Sequence, residues 1–291
     1  MLAVIGTVPA QDFPLLEGET EQQGSMLIVA GQPCPILRGT PALLAAALAT
    51  AQTLGQPPPQ AYLVGDIGLG DGSRRLYAYL EKELPARQHR VLCFHYLQPD
   101  VDWHNRVLFA IEAMASRPVL IADAGYMYVA KMSGQAGAYD LFTPDVGELA
   151  FLADEDAPHP FYTRGFILQE DNRAPDLISR AYEFDNAARY LLVKGRTDYI
   201  ASRQGILESV SDPEVAALEP IGGTGDTVTG IAAALIAAGY EIPVAAAIAA
   251  RTNRLAGWSA QPTPATSVAE IIAHIPQALL TAQQEKGMTH G

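Results

Sequence analysis

The sequence of 291 residues is short of positive charge and of cysteine. It holds 19 Lys and Arg residues against 32 Asp and Glu residues, which leaves a formal net charge of −13 at pH 7. A general nucleic-acid-binding protein needs a broad surface of Lys and Arg, so this balance argues against that class. The two cysteines, Cys34 and Cys93, are too few for a disulfide framework or a cysteine-rich metal site. We expect two buried thiols in a protein of the reducing cytoplasm.

Long apolar runs are also missing. The most apolar stretch, 231–250, is interrupted by Gly239, Glu241 and Pro243, whereas a membrane-spanning helix needs about 20 predominantly apolar residues. The stretch therefore predicts two core helices and no membrane partner. The first basic residue is Arg38, and without an earlier cationic segment we expect no signal peptide. Hydrophobic residues still make up 49% of the chain, which is enough for a large core.

Short apolar runs alternate with helix-like segments along most of the chain. The runs are continuous, which is typical of strands buried on both faces of a mostly parallel sheet. We predict strands at 25–31, 61–65, 90–94, 118–123, 139–143 and 190–194. We predict helices at 43–54, 73–84, 103–116 and 177–189 (with Asp176 as the N-cap of the last), and a helix that begins over 146–152. No linker divides the chain, so the pattern indicates one α/β domain over residues 1–291.

The stretch 154–175 differs from the rest. Two prolines, a histidine and two aromatic residues crowd together at 158–162, and no clear period follows. It predicts a long loop or lid, and long ordered loops are more often functional than short ones. His95, His104 and His159 show no metal-ligand spacing among them, and we expect core or surface residues.

The strongest local signal is the glycine-rich run from Gly222 to Gly230, GGTGDTVTG, which opens a long Ala-rich helix. Its glycines would let backbone N–H groups approach a ligand, and the helix start adds the positive end of a dipole, so the run suits phosphate. Asp226 lies at the same helix start and is a candidate base for a hydroxyl that is being phosphorylated. The alternative is a plain loop in which Asp226 caps the helix. The run is not a Walker A motif, because no Gly-Lys-Ser/Thr follows.

A second signal, TPDVGE at 143–148, directly follows a predicted strand. Asp145 and Glu148 are three residues apart, so both could face one side of a starting helix and hold Mg²⁺ through water. The alternative is an acidic first helical turn, which the helix dipole favours on its own.

Three weaker signals also follow predicted strands. The segment 194–197, KGRT, offers cations and a hydroxyl for the phosphates of a nucleotide. The alternative is a solvated hairpin turn, in which a Lys-Gly pair is more commonly found. The segment 65–70, GDIGLG, is a glycine-rich loop that could equally be a tight turn. Asp123 lies at the carboxyl end of a strand, where α/β sheets place their ligands, but could also be a turn residue.

These segments follow one another in the order typical of a known enzyme group. The chain resembles the ribokinase-like superfamily and, within it, the ADP- or ATP-dependent NAD(P)H-hydrate dehydratases, the family of the YjeF carboxyl-terminal domain. The resemblance runs from about residue 26 to about residue 260, over the segments 27–31, 39–40, 64–70, 122–124, 143–148, 193–195 and 222–230. It implies a three-layer sandwich with a mostly parallel central sheet, helices on both faces, and a homo-oligomer.

The resemblance also implies an activity. Such enzymes use ADP or ATP with Mg²⁺ to phosphorylate the hydroxyl of hydrated NADH or NADPH, after which phosphate leaves. Asp226 corresponds to the residue that activates the hydroxyl, and Glu148 to the acid associated with Mg²⁺. The implied anion hole consists of the backbone N–H groups of Gly223, Thr224 and Gly225. The implied nucleotide-binding residues are Lys194, Gly195, Arg196, Thr197 and Gly222, and the substrate-binding residues are Thr40, Gly68, Gly70, Asp123 and Asp145.

Residues on the substrate side depart from the dehydratase pattern. The usual TPHPGE has a histidine where this chain has Asp145, and the usual GPGLG begins with glycine where this chain has Asp66. The usual DADALN ends in an asparagine where this chain has Tyr126. Two extra carboxylates would repel the phosphates of a nicotinamide dinucleotide unless Mg²⁺ or an arginine compensates. The departures therefore concern the substrate more than the fold.

Two alternative functions follow from these departures. Vitamin-type kinases of the same superfamily carry TPNxxE, and Asp145 is close in shape to that asparagine. A kinase acting on a sugar-like or vitamin-precursor hydroxyl is thus the second hypothesis. A nucleotide-binding protein without catalysis is the third, although a pure binder has no need of Asp226 beside a phosphate.

Overall fold

The computed structural model describes residues 1–158 and 174–287. The strands in these residues are β1 (Leu2–Val8), β2 (Leu16–Gln23), β3 (Met26–Val29), β4 (Gln32–Pro35), β5 (Gln60–Gly65), β6 (Val91–His95), β7 (Val119–Asp123), β8 (Leu141–Phe142), β9 (Tyr190–Val193), β10 (Asp198–Ser202) and β11 (Gly205–Val210). The α-helices are α1 (Thr40–Thr53), α2 (Asp71–Glu83), α3 (Val101–Glu112), α4 (Gly125–Met132), α5 (Val146–Leu152), α6 (Ala174–Glu183), α7 (Thr224–Ala237), α8 (Ile242–Ala260), α9 (Val268–Ile272) and α10 (Ile275–Glu285).

All of these strands join one mixed sheet in the order β11-β10-β9-β8-β7-β6-β1-β5-β2-β3-β4. The six strands from β9 to β5 in that order run parallel. Antiparallel strands extend the sheet at both edges, with β10 and β11 on one side and β2 to β4 on the other. The predicted mostly parallel sheet is confirmed for its central part.

Strand β1 lies near the middle of the sheet, although its residues were not predicted to form a strand. All seven of its residues are buried, because both faces of the sheet are covered. Leu2 and Val4 face one apolar core together with α1 and α7 to α10. Ala3 and Ile5 face a second core together with α2 to α6. This alternation produces three layers, and it confirms the predicted α/β sandwich with helices on both faces.

Several predicted elements are wrong in part, and the strand predicted at 139–143, for example, is the two-residue β8. The strand predicted at 25–31 is the shorter β3, and it pairs antiparallel with β2 and β4 through tight turns rather than entering the parallel sheet. The helix predicted at 177–189 is α6, which begins at Ala174 and ends at Glu183. Asp176 therefore lies in the first turn instead of capping the helix. Pro175 suits a helix start, and Asp185, with φ of 56°, lies in the left-handed region just beyond the helix end.

The apolar stretch 231–250 forms the end of α7 and the beginning of α8, as predicted. Within residues 1–158 and 174–287, no helix is long and apolar enough to cross a membrane. Cys34 and Cys93 are both buried and unpaired, in agreement with the prediction. Most of the loop predicted at 154–175, including His159, lies outside the described residues.

Candidate functional site

Four neighbouring strands bring polar residues to one edge of the sheet. Strand β6 ends at His95, β7 ends at Asp123, β8 is followed by the turn that contains Asp145, and β9 is followed by Lys194. The strands lie side by side in the order β9-β8-β7-β6 and run parallel, so their carboxyl ends meet. This is the edge at which α/β sheets bind ligands. The first turn of α7 reaches the same place, because Asp226 Oδ1 lies 3.1 Å from His95 Nε2.

Asp123, Asp145, Lys194 and Asp226 line a pocket of about 180 Å³. Ligand pockets are typically about 300–1,000 Å³, so this one can hold the reacting end of a ligand but not a whole nucleotide. A larger cleft of about 370 Å³ lies at the opposite end of β9, beside Tyr182 and Arg203, and it lacks a comparable group of carboxylates. The residues that line the smaller pocket are Tyr96, Asp123, Ala124, Asp145, Glu148, Lys194, Gly223, Gly225 and Asp226.

The beginning of α7 forms one wall of the pocket. Gly223 is its N-cap residue, with φ of 100°, and no side chain caps the helix. A Cβ on Gly223 would lie 3.2 Å from both Arg38 Cα and Ala42 Cβ, so glycine suits this position both in conformation and in space. The first N–H groups of a helix have no partner inside the helix, and they carry the positive end of its dipole. The wall can therefore bind an anion.

Asp226 is fixed by one donor at each carboxylate oxygen. Gly39 N–H donates to Oδ2 at 2.7 Å, and the His95 Nε2 atom lies 3.1 Å from Oδ1. Burial opposes ionisation of this carboxyl, but the hydrogen bond from His95 and the charge of Lys194 outweigh burial and hold the pKa of Asp226 below its ordinary value. Asp226 is therefore an ionised hydrogen-bond acceptor near neutral pH.

Lys194 and Asp123 form an ion pair below the pocket. Lys194 Nζ lies 2.9 Å and 3.0 Å from the two carboxylate oxygens of Asp123, which also accept from Ala124 N–H and the Thr229 hydroxyl. Burial acts to lower the pKa of the Lys194 ammonium, but the charges of Asp123 and Glu148 outweigh it and raise that pKa. The ammonium is thus permanently charged and lines the pocket from a fixed position.

Asp145 and Glu148 form a capping box at the start of α5. Asp145 Oδ1 accepts from Glu148 N–H at 2.7 Å, and Glu148 Oε2 accepts from Asp145 N–H at 2.8 Å. Burial raises the pKa of Glu148 to about 8, and the nearby Asp123 adds to this effect against the opposing effect of Lys194. Each carboxylate keeps one oxygen outside the capping box. The pocket also holds four acidic side chains against one ammonium, so oxygen donors and excess negative charge suit a hard divalent cation.

A second group of possible metal ligands consists of His95, Asp123 and Asp226, whose ligand atoms lie within 4.8 Å of one another. The oxygens of Asp123 already accept hydrogen bonds from Lys194, and Asp226 accepts from Gly39 and His95. A permanently charged ammonium on the central carboxylate disfavours a second cation there. These three residues are better described as a hydrogen-bonded network.

Several predicted site residues lie apart from the pocket lining. Thr40 is fully buried, with its hydroxyl 3.0 Å from His95 Nδ1. Gly68 and Gly70 lie in the loop between β5 and α2, beside Gln98. Strands β1 and β6 separate this loop from β7. Gly222 and Thr224 flank the lining residue Gly223 in sequence.

The segment 194–197 forms the turn between β9 and β10. Arg254 of α8 holds this turn by donating to the carbonyl groups of Gly195 and Arg196 and by pairing with Asp198. The Arg196 side chain is 84% exposed and pairs with Glu214. The turn joins two hairpin strands, and Lys194 at its start lines the pocket, while contact of this turn with a nucleotide stays a prediction.

The two carboxylates that depart from the dehydratase pattern both have structural partners. Asp66 accepts hydrogen bonds from the N–H groups of Gly68, Gly70 and Ser73 and from the Ser73 hydroxyl. Although burial opposes it, these donors lower the pKa of Asp66. Asp145 is the N-cap of α5. Both charges therefore stabilise helix starts.

Three residues near the pocket were not singled out by the sequence. His95 is fully buried, as expected of a core residue, yet it contacts Asp226. Tyr96 lines the pocket, is 49% exposed and has φ of 51°, and the Thr7 hydroxyl donates to its carbonyl group. Arg38 is exposed, and its Cδ lies 3.6 Å from where a Cβ on Gly222 would be. The sequence contained one indication of a role for His95, because this residue ends a buried strand, as Asp123 does.

Comparisons with known proteins place this geometry in context. The family model of NAD(P)H-hydrate dehydratases matches residues 99–277. The uncharacterized protein MJ1337 of Methanocaldococcus jannaschii is 40% identical over 238 residues, which cover 81% of this chain and 98% of that protein. The bifunctional NAD(P)H-hydrate repair enzyme Nnr of Pyrobaculum aerophilum is 29% identical over 147 residues, which cover 50% of this chain but only 26% of that enzyme.

Solved structures agree with the fold. A ribokinase-like superfamily protein from Enterococcus faecalis superposes with a TM-score of 0.56 and 15% identity, covering 97% of this chain and 87% of that one. The pyridoxal kinase of Staphylococcus aureus in complex with ADP superposes with a TM-score of 0.54 and 15% identity, covering 88% of both chains. The architecture is therefore ribokinase-like.

Proposed function

Because the chain belongs to the NAD(P)H-hydrate dehydratase family, we propose that it uses ADP or ATP to dehydrate hydrated NADH or NADPH. The observation that carries this proposal is the position of Asp226. Its ionised carboxylate lies in the first turn of α7, one residue beyond the uncapped N–H groups of Gly223 to Gly225. A base next to an anion site is the arrangement that phosphorylation of a hydroxyl requires.

In the proposed reaction, Asp226 accepts the proton of the substrate hydroxyl while the hydroxyl oxygen attacks the terminal phosphorus of the nucleotide. The bond from that phosphorus to the bridging oxygen breaks, and its electron pair stays on the departing nucleotide. The N–H groups of Gly223, Thr224 and Gly225 stabilise the charge on the transferred phosphoryl group. The original C–O bond of the phosphorylated substrate then breaks, its electron pair leaves with the phosphate, and loss of a proton from the neighbouring carbon restores the ring double bond.

Nucleotide and cation are proposed to bind on the Lys194 side of the pocket. Lys194 supplies a fixed positive charge, and Gly195, Arg196, Thr197 and Gly222 would contact the nucleotide. Glu148 would hold Mg²⁺, directly or through water, with Asp145 close by. When bound, Mg²⁺ would neutralise negative charge of the nucleotide phosphates. The carboxylate oxygens outside the capping box support this assignment, and one of them, Glu148 Oε1, also lies 3.5 Å from the Tyr128 hydroxyl.

The substrate is proposed to approach over the loops that follow β5, β7 and β8. Gly68 and Gly70 lie on the first of these, Asp123 ends β7, and Asp145 lies on the third, all at the carboxyl edge of the parallel strands. Thr40 lies behind His95, so a role on the substrate side would be indirect. Asp66 accepts hydrogen bonds from four donors, which partly offset its negative charge and reduce its repulsion of a dinucleotide.

The test is to incubate hydrated NADPH with ADP or ATP and Mg²⁺ and to follow the return of the reduced-nicotinamide absorbance. We expect turnover by the parent protein and a loss of about 10²–10⁴-fold in Asp226→Asn, because a general base contributes on this order. Asp71→Asn, at an exposed acid of α2, is the matched control and should retain full activity. Equal rates for the parent and Asp226→Asn would refute the proposal.

A second candidate is a kinase acting on a sugar-like or vitamin-precursor hydroxyl. Asp145 favours it, because the position carries neither the histidine nor the following proline of the dehydratases. A stable phosphorylated product without release of phosphate would identify a kinase. Tight binding of ADP or ATP without turnover of any substrate would instead identify a nucleotide-binding protein without catalysis.

We further propose that residues 1–291 form one domain, that the protein is a homo-oligomer, and that it acts in the cytoplasm. Two buried, unpaired thiols suit a reducing compartment. Light scattering on the purified protein would determine the oligomeric state, and a mass equal to one chain would reject the homo-oligomer.

A further inference from the structure

Three side chains form a line that runs from the protein interior to the pocket. The Thr40 hydroxyl lies 3.0 Å from His95 Nδ1, and His95 Nε2 lies 3.1 Å from Asp226 Oδ1. Thr40 and His95 are fully buried, while the Asp226 side chain is 14% exposed. The line begins at the first residue of α1, passes through the last residue of β6 and ends in the first turn of α7.

The chemistry of the three groups sets the direction of these hydrogen bonds. An ionised carboxylate only accepts hydrogen bonds, so the His95 nitrogen that faces Asp226 must carry a proton. The other ring nitrogen, Nδ1, can then accept from the Thr40 hydroxyl. A partner on one ring nitrogen determines which nitrogen carries the proton. The Asp226 carboxylate therefore fixes the proton on Nε2, and the Thr40 hydroxyl, by donating to Nδ1, holds the orientation of the ring.

The carboxylate is held from two sides as a result. His95 occupies one lone pair of Oδ1 and Gly39 N–H occupies one lone pair of Oδ2. Each carboxylate oxygen has a second lone pair that can accept a further hydrogen bond from the pocket side. Asp226 lines the pocket, so the free lone pairs are available to a bound hydroxyl.

Close packing keeps Thr40 and His95 in place. Gly6 of β1 is the register partner of His95, and a Cβ at this position would lie 2.5 Å from Thr40 Oγ1 and 2.4 Å from the His95 carbonyl oxygen. The Tyr96 ring packs edge-on against the imidazole, with the centroids 4.3 Å apart. Asp123 Oδ2 lies 3.9 Å from His95 Nε2, so Asp226 is the nearer carboxylate.

We propose that Thr40 and His95 are positioning residues for Asp226: the Thr40 hydroxyl orients the His95 ring, and the His95 Nε2–H group holds the carboxylate in the orientation that receives the substrate proton. The kinetic part of this inference rests on the proposed function. It assigns a role to a buried histidine that the family pattern and the sequence both left without one.

The kinetic test compares substitutions that differ only in their ability to donate. His95→Phe removes the donor and should lower kcat about 10–100-fold with little change in KM, because misorientation of a base acts on the chemical step. His95→Gln retains an N–H donor and should restore most of kcat. Thr40→Val should lower kcat less than His95→Phe does, and Thr40→Ser should restore it. His274→Gln, at a histidine that does not line the pocket, is the control.

If His95 served only to fill space, the two His95 variants would have similar kcat values, and that result would overturn the proposal. The isosteric Thr40→Val variant keeps the test decisive even where His95→Phe does not fold. A kcat in Thr40→Val equal to that of the parent protein would show that Thr40 does not position His95.

A measurement without turnover separates this inference from the proposed function. Nitrogen-15 NMR of the histidine side chains reports which ring nitrogen carries a proton, and the loss of one signal in His95→Gln assigns His95. We expect a proton on Nε2 and a shifted resonance in both Asp226→Asn and Thr40→Val. An Nε2 atom without a proton would overturn the inference even if hydrated NADPH is dehydrated. If the signals are as expected but the protein does not dehydrate hydrated NADPH, the proposed function is refuted and the positioning of Asp226 by His95 is retained.

Discussion

At the scale of single residues, the pocket combines a negative lining with the means to bind an anion. Four acidic side chains and one ammonium line it, while backbone N–H groups at the start of α7 face a possible phosphate. A phosphate site of this kind does not need a basic protein, which is consistent with the net charge of −13. The exposed Arg38 lies against Gly222 and Gly223 at the edge of this site.

We expect Arg38→Ala to weaken the binding of ADP about tenfold, because a charge-assisted contact to phosphate is typically lost with the guanidinium. Arg38→Lys should recover part of the affinity, since a lysine keeps the charge without the planar pair of donors. Isothermal titration calorimetry would measure both, with Arg75→Ala on the exposed face of α2 as control. An unchanged affinity in Arg38→Ala would exclude the contact.

At the scale of elements, the starts of helices α2, α5 and α7 are stabilised in different ways. Helix α5 begins with a capping box, and the loop before α2 folds around Asp66. Helix α7 has no side-chain cap, and Asp226 in its first turn contacts His95 and Gly39 instead. The alternative that Asp226 is an N-cap is therefore wrong. The first N–H groups of α7 face the pocket without a side-chain cap, which leaves them available to a ligand.

We expect Asp66→Asn to lower the free energy of unfolding by about 1–3 kcal/mol at pH 7, because it places an amide group against N–H donors in a buried loop. The donors lower the pKa of Asp66, so this stabilisation is present above the ordinary pKa of aspartate and is lost as the pH falls below it. Urea unfolding at pH 7 would measure the effect.

Asp71→Asn, at the exposed first residue of the same helix, is the matched control and should change stability little. If Asp66→Asn instead keeps its stability and changes which substrate is used, Asp66 acts on the substrate and the structural interpretation is wrong.

At the scale of the whole molecule, two histidines that do not line the pocket are buried beside the second apolar core, where they contact its tyrosines. His104 and His89 are both almost completely buried, and burial lowers the pKa of each to about 4. Above about pH 6.5 the imidazoles are neutral in both the folded and the unfolded chain. Below it the unfolded chain binds protons that the folded protein excludes until about pH 4, so stability falls over this range.

We expect the free energy of unfolding to decrease by about 2 kcal/mol per buried histidine between pH 7.5 and pH 5.0. In His104→Gln, which cannot titrate, this decrease should be smaller by the same amount, although the variant is less stable at pH 7.5 because the hydrogen bond with Tyr139 changes. Urea unfolding at both pH values would measure it. Parallel pH dependence in the parent and the variant would contradict the assignment to His104.

The sequence alone was sufficient for the class of fold, the places of most helices and central strands, and the glycine-rich start of α7. Apolar periodicity and turn residues act over about ten neighbouring residues, so they are visible without the fold. Strand β2, LEGETEQQ, was not predicted because it is polar and partly exposed. Such a strand depends on pairing with β5, which lies some forty residues further along the chain.

The tertiary structure decided how the pocket is assembled. It showed that Lys194 pairs with Asp123 from 71 positions away, and that His95 contacts Asp226 across 131 positions. These pairs depend on the order of the strands in the sheet, which no local pattern records. The same order separates the glycine-rich loop after β5 from the pocket lining. The sequence by itself thus determined which residue types were available for phosphate chemistry, and only the sheet order decided which of them meet.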